Sequence, residues 1–268
     1  MTAPITHKAL RKPAGSAAVN NGAEAHVRDA MVTFVSAAAV LVACALSRVF
    51  VESASADPCP YIHVIFARGT GEPAGVGPTG QAFIDNLHSG VGQRSLDVYP
   101  VNYPASDQWN TGIDGVRDAG AHVVSMAHAC PKTAMVLAGY CQGAAIIGFI
   151  TSATVPDGVD PSTVPKPLDP AIANHVSSVV LFGMPNVRAM NVLGEPPVVI
   201  GPLYQSKTLT VCAADDPVCS DGLNFATHNS NAADAPMIHQ GAVFAASHLD
   251  TTPSNTAAVG RSDGGFGT

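Results

Sequence analysis

The stretch LAGYCQGAA, residues 137–145, sets a cysteine between Gly139 and Gly143. An apolar run leads into it and a helix-like run leads out. That is the layout of a nucleophile elbow, a sharp strand-to-helix turn that needs small flanking residues because its backbone is strained and closely packed. A helix starting at Gln142 directs backbone N–H groups and a positive dipole end at the turn, which stabilises an oxyanion and lowers a thiol pKa. The usual middle residue of such an elbow is serine; here it is Cys141. Acyl transfer through the thiol is the chemistry that fits, with a histidine as base and a carboxylate to orient it.

On a strand–helix scaffold the partners follow the nucleophile in the order acid, then histidine. The acids in a tight turn downstream are Asp215 and Asp216, in CAADDPVC, and the later histidines are His228, His239 and His248. His175 comes before the acids, in the wrong order. His239 and His248 fall in a helix-like run, where a solvated or packed histidine is the ordinary expectation. His228 sits in the polar stretch ATHNSN, read as a loop and a suitable place for a mobile general base.

These residues must be positioned by the elements around them. Strand-like runs at 62–67, 96–104, 133–140, 176–185 and 206–212 alternate with helix-like runs at 81–91, 115–130, 142–153 and 236–249. Such alternation implies an α/β fold, a central parallel sheet covered by helices on both faces, with the ligand beyond the carboxyl ends of the strands. The candidate chemistry lies at those ends: RGTG after the first strand, the elbow after the third, DDP after the last. The segment 155–170, with five prolines, reads as an extended surface insertion. Residues 251–268 are polar and Gly-rich and read as a disordered tail.

Composition narrows the class. Charged residues make up 12% of the 268 and apolar ones 47%, with a net charge of −7. This is globular composition without the basic surface that nucleic acid requires. Residues 1–56 read as an extension and secretory signal: a basic flank, the apolar run Met31–Leu46, then Ala54-Ser55-Ala56 with cleavage before Asp57. An uncleaved signal anchor is the alternative, and LVAC at 41–44 also resembles a lipoprotein box that would lipidate Cys44. Five cysteines then remain, Cys59, Cys130, Cys141, Cys212 and Cys219. An exported chain pairs its cysteines, so an odd count leaves one thiol. The spacing of Cys212 and Cys219 suits a local bridge; Cys59 and Cys130 could then pair, leaving Cys141.

The motifs CPYIHVIFARGTGEPAGVG, VNYPASDQW, VLAGYCQGAA, LFGMP and CAADDPVCSDG followed by His228 resemble those of cutinases and cutinase-like carboxylesterases, in order and spacing, across about residues 57–250. The resemblance implies a three-layer α/β-hydrolase domain and fatty-acyl, lipid or cutin-like esters as substrates; the chain is expected to act as a monomer without cofactor or metal, outside the cell, or on the envelope where the signal stays uncleaved. The resemblance places the nucleophile on Cys141, the acid on Asp216, the base on His228 and the oxyanion hole on Thr70 and Gln142, with bridges Cys59–Cys130 and Cys212–Cys219. The chain departs from the family pattern in two places. The family signature is Gly-Tyr-Ser-Gln-Gly, and THNSNAADAP lacks the aromatic that often follows the family histidine. The alternative function is a catalytically weak homologue that binds lipid or acts at a surface.

Overall fold

The computed structural model describes residues 59–230 and 235–250. The apolar run 31–46, the cleavage point expected before Asp57 and the tail from residue 251 lie outside the described residues.

The first strand, β1 (Ile62–Ala67), is IHVIFA, rich in β-branched and aromatic residues and buried along its whole length. Helix α1 (Gly77–Val91) starts four residues before its apolar periodicity does, because Pro78 occupies the first turn, where its missing N–H costs nothing. Strand β2 (Leu96–Pro100) is shorter than the 96–104 run suggests. Beyond it the chain bends into a loop whose Tyr103 carbonyl accepts Arg68 Nη2 at 2.7 Å. Then come α2 (Gly112–Ala129), β3 (Ala134–Tyr140), α3 (Gln142–Ile150), β4 (Val176–Phe182), α4 (Val187–Leu193), α5 (Pro202–Gln205), β5 (Thr208–Val211), α6 (Phe225–Ser230) and α7 (Ala235–Asp250). β4 stops three residues short of the expected end because Gly183 turns the chain with φ +55°.

The five strands lie in the order β2-β1-β3-β4-β5, every pair parallel. The expectation of a parallel sheet covered on both faces therefore holds. Alternate residues of each strand face opposite layers. Val64, Phe66, Val136, Tyr140 and Phe182 pack with Phe83 and Leu87 of α1 and Ile238 and Ala245 of α7. Ile65, Leu137 and Leu181 pack on the other side with Val123 of α2 and Ile146 and Ile147 of α3. β3 is the central strand, so the elbow at its end sits in the middle of the sheet edge where the loops converge.

Cys59 is bonded to Cys130 and Cys212 to Cys219, and Cys141 is the free cysteine among the described residues. The first bridge fastens the chain just before β1 to the end of α2. The second closes the turn after β5.

Candidate active site

The backbone at Cys141 has φ +51° and ψ −118°, a conformation that L-residues with a Cβ rarely adopt. Its surroundings enforce it. A Cβ on Gly139 would lie 2.4 Å from the Gly143 carbonyl oxygen, and one on Gly143 would lie 2.0 Å from that of Ala67, so neither glycine tolerates a side chain. The Cys141 N–H continues the ladder to Phe182 O at 2.9 Å, and its carbonyl accepts Ala145 N–H at 3.1 Å, opening α3. One residue thus ends a strand and starts a helix, with its side chain turned out of both.

The Cys141 thiol is buried beneath two backbone donors, the N–H groups of Thr70 and Gln142. The side chains of these two residues also meet, Thr70 Oγ1 donating to Gln142 Oε1 at 3.3 Å. Burial pushes the thiol up to about 11; the two N–H groups pull it down, and the charges of Asp216 and Glu72 push it further up. This corrects the expectation of a thiol acidified by the helix start. The donors act in the expected direction, but loss of solvation is larger, and the thiol is neutral at pH 7.

His228 Nδ1 and Asp216 Oδ2 are 2.7 Å apart, with Asp216 wholly buried. The other carboxylate oxygen of Asp216 accepts the Val218 N–H at 2.7 Å, and its carbonyl accepts Ser220 Oγ–H at 2.6 Å. These bonds, with the Cys212–Cys219 bridge, fix Asp216 in its turn. His228 is not in a loop, as ATHNSN suggests, but in the short helix α6. Its Nε2 is buried without a hydrogen-bond partner among the described residues, leaving that nitrogen to take a proton. Asp215 is exposed and accepts the Leu223 N–H at 3.3 Å. His239 and His248 both lie in α7, His248 Nδ1 2.9 Å from Phe244 O, and His175 Nδ1 lies 3.2 Å from Pro131 O. Of the residues singled out in the sequence, the structure sets the N–H groups of Thr70 and Gln142 on the Cys141 thiol and pairs Asp216 with His228, and the Asp216 charge acts on that thiol. The rest stand elsewhere.

Other residues build the site without having been singled out. The Tyr140 ring stacks on His228 with centroids 5.5 Å apart, and its hydroxyl donates to the His228 carbonyl at 2.7 Å. Gly69 lies close enough to the same ring that a Cβ there would be 2.6 Å from it. Tyr140 therefore touches both the loop before Thr70 and the helix carrying His228. The one sequence signal was its place directly before Cys141. Within the Thr70 loop, Glu72 Oε2 accepts the Gly69 N–H at 2.6 Å, and the buried Arg68 donates to Glu72 O at 3.0 Å. Tyr103 Oη donates to the Arg68 carbonyl. Burial raises the Glu72 carboxyl above its usual range. Part of THNSNAADAP, residues 231–234, lies outside the described residues. Sulfurs of Cys212 and Cys219 and a carboxylate oxygen of Asp216 lie within 4.8 Å of one another, a metal-sized cluster, but the sulfurs are bonded to each other and have no thiolate to offer.

A family model described as Cutinase matches residues 58–249. A probable carboxylesterase, Culp5, of Mycobacterium tuberculosis is 51% identical over 167 residues, which cover 62% of this chain and 95% of that protein. The carboxylesterase Culp1 of the same organism is 45% identical over 203 residues, 74% of this chain and 86% of the relative. Among solved structures, a cutinase-like protein from Cryptococcus sp. superposes with a TM-score of 0.56 at 25% identity, covering 72% of this chain and 97% of that one. With the strand order, the elbow and the Asp216–His228 pair in place, the chain belongs to the cutinase family.

Proposed function

We propose that this carboxylic-ester hydrolase of the cutinase family cleaves fatty-acyl or related lipid esters through an acyl-enzyme on Cys141. The observation that carries the reading is the pair of backbone N–H groups, Thr70 and Gln142, converging on the Cys141 thiol from two separate segments. That is the arrangement that holds an oxyanion formed by attack from residue 141.

In this reading the neutral thiol attacks the ester carbonyl carbon while its proton passes to His228 Nε2. Asp216, on Nδ1, steadies the imidazolium that forms. The carbonyl oxygen gathers negative charge under the two N–H groups. Collapse of the intermediate breaks the bond to the alcohol oxygen, which takes the proton from His228, and leaves a thioester on Cys141. Water, deprotonated by His228, then attacks the thioester and releases the carboxylic acid and the thiol. The apolar run 31–46 and the Ala-Ser-Ala site support export with cleavage before Asp57. Amino-terminal sequencing of the secreted protein tests this, and a diacylated Cys44 would replace it with a lipoprotein.

The test of the enzyme is hydrolysis of p-nitrophenyl butyrate and decanoate, with intact-mass detection of the acyl adduct after rapid quenching. The expected result is turnover with an adduct mapped to Cys141, both lost in Cys141→Ala. If neither this chain nor Cys141→Ser hydrolyses any ester, the reading fails and a lipid-binding homologue stands in its place.

A further inference from the structure

A cavity of about 380 Å3 lies between α2, α3 and the Pro-rich segment 155–168. Cys141, Asp216 and His228 do not line it, but Gln142 does. Along α3 the lining residues are Gln142, Ala145, Ile146, Phe149 and Ile150, spaced i, i+3, i+4, i+7, i+8, which is one face of the helix from end to end. Across from it, α2 contributes Gly112 and Gly120 among its lining residues. A Cβ at Gly120 would meet only Ile150 Cγ2 at 3.9 Å and Leu168 Cδ2 at 4.0 Å. Small residues on a helix face that could hold larger ones leave the space open.

The roof is the segment that the sequence presents as a surface insertion. Its prolines and aspartates are mostly exposed, yet Val155, Val159, Val164 and Leu168 turn partly inward and line the space. Arg117 Nη2 holds the segment to α2 by donating to Thr163 O at 2.8 Å. Most of the lining is aliphatic or aromatic. The charged lining residues are Lys166 and Glu195.

Gln142 is the residue that the site and the cavity share. Its backbone N–H bears on the Cys141 thiol, while its side chain, bonded to Thr70 Oγ1 and to Ser106 O at 3.3 Å each, stands at the near end of the cavity. A cavity of about 150 Å3 holds benzene, so one of this volume accepts an aliphatic chain on the order of ten carbons.

We infer that this cavity is a binding site for the aliphatic chain of the ester substrate, running from Gln142 along α3 beneath the 155–168 segment. This deepens the hydrolase reading by naming the part of the substrate it selects, a medium-length unbranched chain, and it rests on that reading only for its catalytic half.

The binding half is tested without catalysis. Trp109 is the chain's single tryptophan and lines the cavity, so its fluorescence reports occupancy. Titration with decanoate brominated on its chain should quench Trp109 saturably. Gly120→Leu, which fills the space, should weaken the apparent affinity at least tenfold. Val159→Asp, on the roof and outside any helix, should do the same if Gly120→Leu folds poorly. For the catalytic half, Gly120→Leu should lower the ratio of p-nitrophenyl decanoate to p-nitrophenyl acetate hydrolysis at least tenfold, a ratio that cancels any general loss of activity. Quenching that is absent, unsaturable or indifferent to both variants overturns the site. Saturable quenching with an unmoved hydrolysis ratio overturns its role in substrate selection. Saturable quenching in a protein that hydrolyses no ester, with Ser or Cys at 141, leaves the site standing and removes the hydrolase reading instead.

Discussion

Tyr140 and His228 are joined twice, ring on ring at 5.5 Å between centroids and hydroxyl to carbonyl at 2.7 Å. Tyr140, the residue beside Cys141, thus holds His228 in place across 88 residues of sequence. Tyr140→Phe keeps the ring and removes the hydroxyl, leaving the His228 carbonyl buried without its donor, at a cost of about 1–3 kcal/mol. The expected outcome is a several-fold fall in kcat with KM little changed and a lowered Tm. Steady-state kinetics beside a thermal melt checks it, and an unchanged kcat would separate the contact from catalysis.

Cys141→Ser should raise ester hydrolysis at least tenfold. Burial leaves the thiol neutral at pH 7, so the nucleophile rests uncharged, as a serine hydroxyl does before a histidine activates it. Oxygen is also smaller than sulfur, which brings the attacked carbonyl closer to the elbow, and a gain of ~1.4 kcal/mol at the barrier is a factor of ten. Side-by-side kcat/KM values decide; a fall on substitution would show a site adapted to sulfur.

Alkylation of Cys141 should be slow at neutral pH and steepen with pH. With burial pushing the thiol up to about 11 from its ordinary 9.0, the thiolate fraction is roughly a hundredfold lower near pH 7 than for a solvated thiol, each unit being a factor of ten. Site-resolved mass spectrometry after iodoacetamide treatment should show a rate still climbing past pH 9. The same shift favours the folded state while the thiol is protonated. That contribution is complete below pH 9.0 and is lost as pH rises through about 11. A rate that levels off near pH 7 would mean a resting thiolate.

Opening the Cys212–Cys219 bridge should harm activity more than stability. Its residues are seven apart, and so short a loop is worth about 2–3 kcal/mol in closure entropy. But Asp216 sits inside it, bonded to Val218 N and Ser220 Oγ. The paired substitution Cys212→Ser with Cys219→Ser should cost at least tenfold in kcat at a temperature where the protein is still folded by circular dichroism.

Acid should destabilise the fold through a histidine pair remote from the elbow. His63 Nε2 and His122 Nε2 are 2.8 Å apart, Tyr99 stacks on His122 at 3.5 Å, and the carboxylates of Asp97 and Asp118 stand nearby, Asp97 3.3 Å from His63 Nδ1. Burial lowers both imidazoles, and His122 lowers His63 further, against an opposing pull from the carboxylates. With the folded values below the ordinary 6.5, the unfolded chain binds more protons, so stability falls as pH drops through that value. Tm should fall on the order of a few degrees between pH 7.5 and 5, and His122→Gln should flatten the slope.

What the sequence disclosed and what it hid divide along the range of the interactions. Gly139 and Gly143 mark the elbow because the strain they relieve is local, and the sheet follows from apolar runs at strand length. The helix around His228 was hidden. Phe225 and Ala226 are its only apolar residues, and its start depends on Asn224 Oδ1 accepting the Ala226 N–H at 3.1 Å and on Tyr140 from a distant strand. The thiol's elevation was hidden too, because burial is a sum over the whole fold and the helix start alone points the other way. The 155–168 roof could not be read because Val155, Val159, Val164 and Leu168 follow no helical or strand period among the prolines.

The positive φ at Cys141 sets the interests of the fold against those of the reaction. Any side chain at this position carries a backbone strain of order 1–3 kcal/mol that glycine would not. Directed evolution for heat resistance alone would therefore drift toward glycine at 141 and discard the proposed nucleophile as it improved the melt. Evolution under a demand for ester cleavage would keep the strain and seek its gains elsewhere, so thermal screening of this protein needs an activity gate at every round.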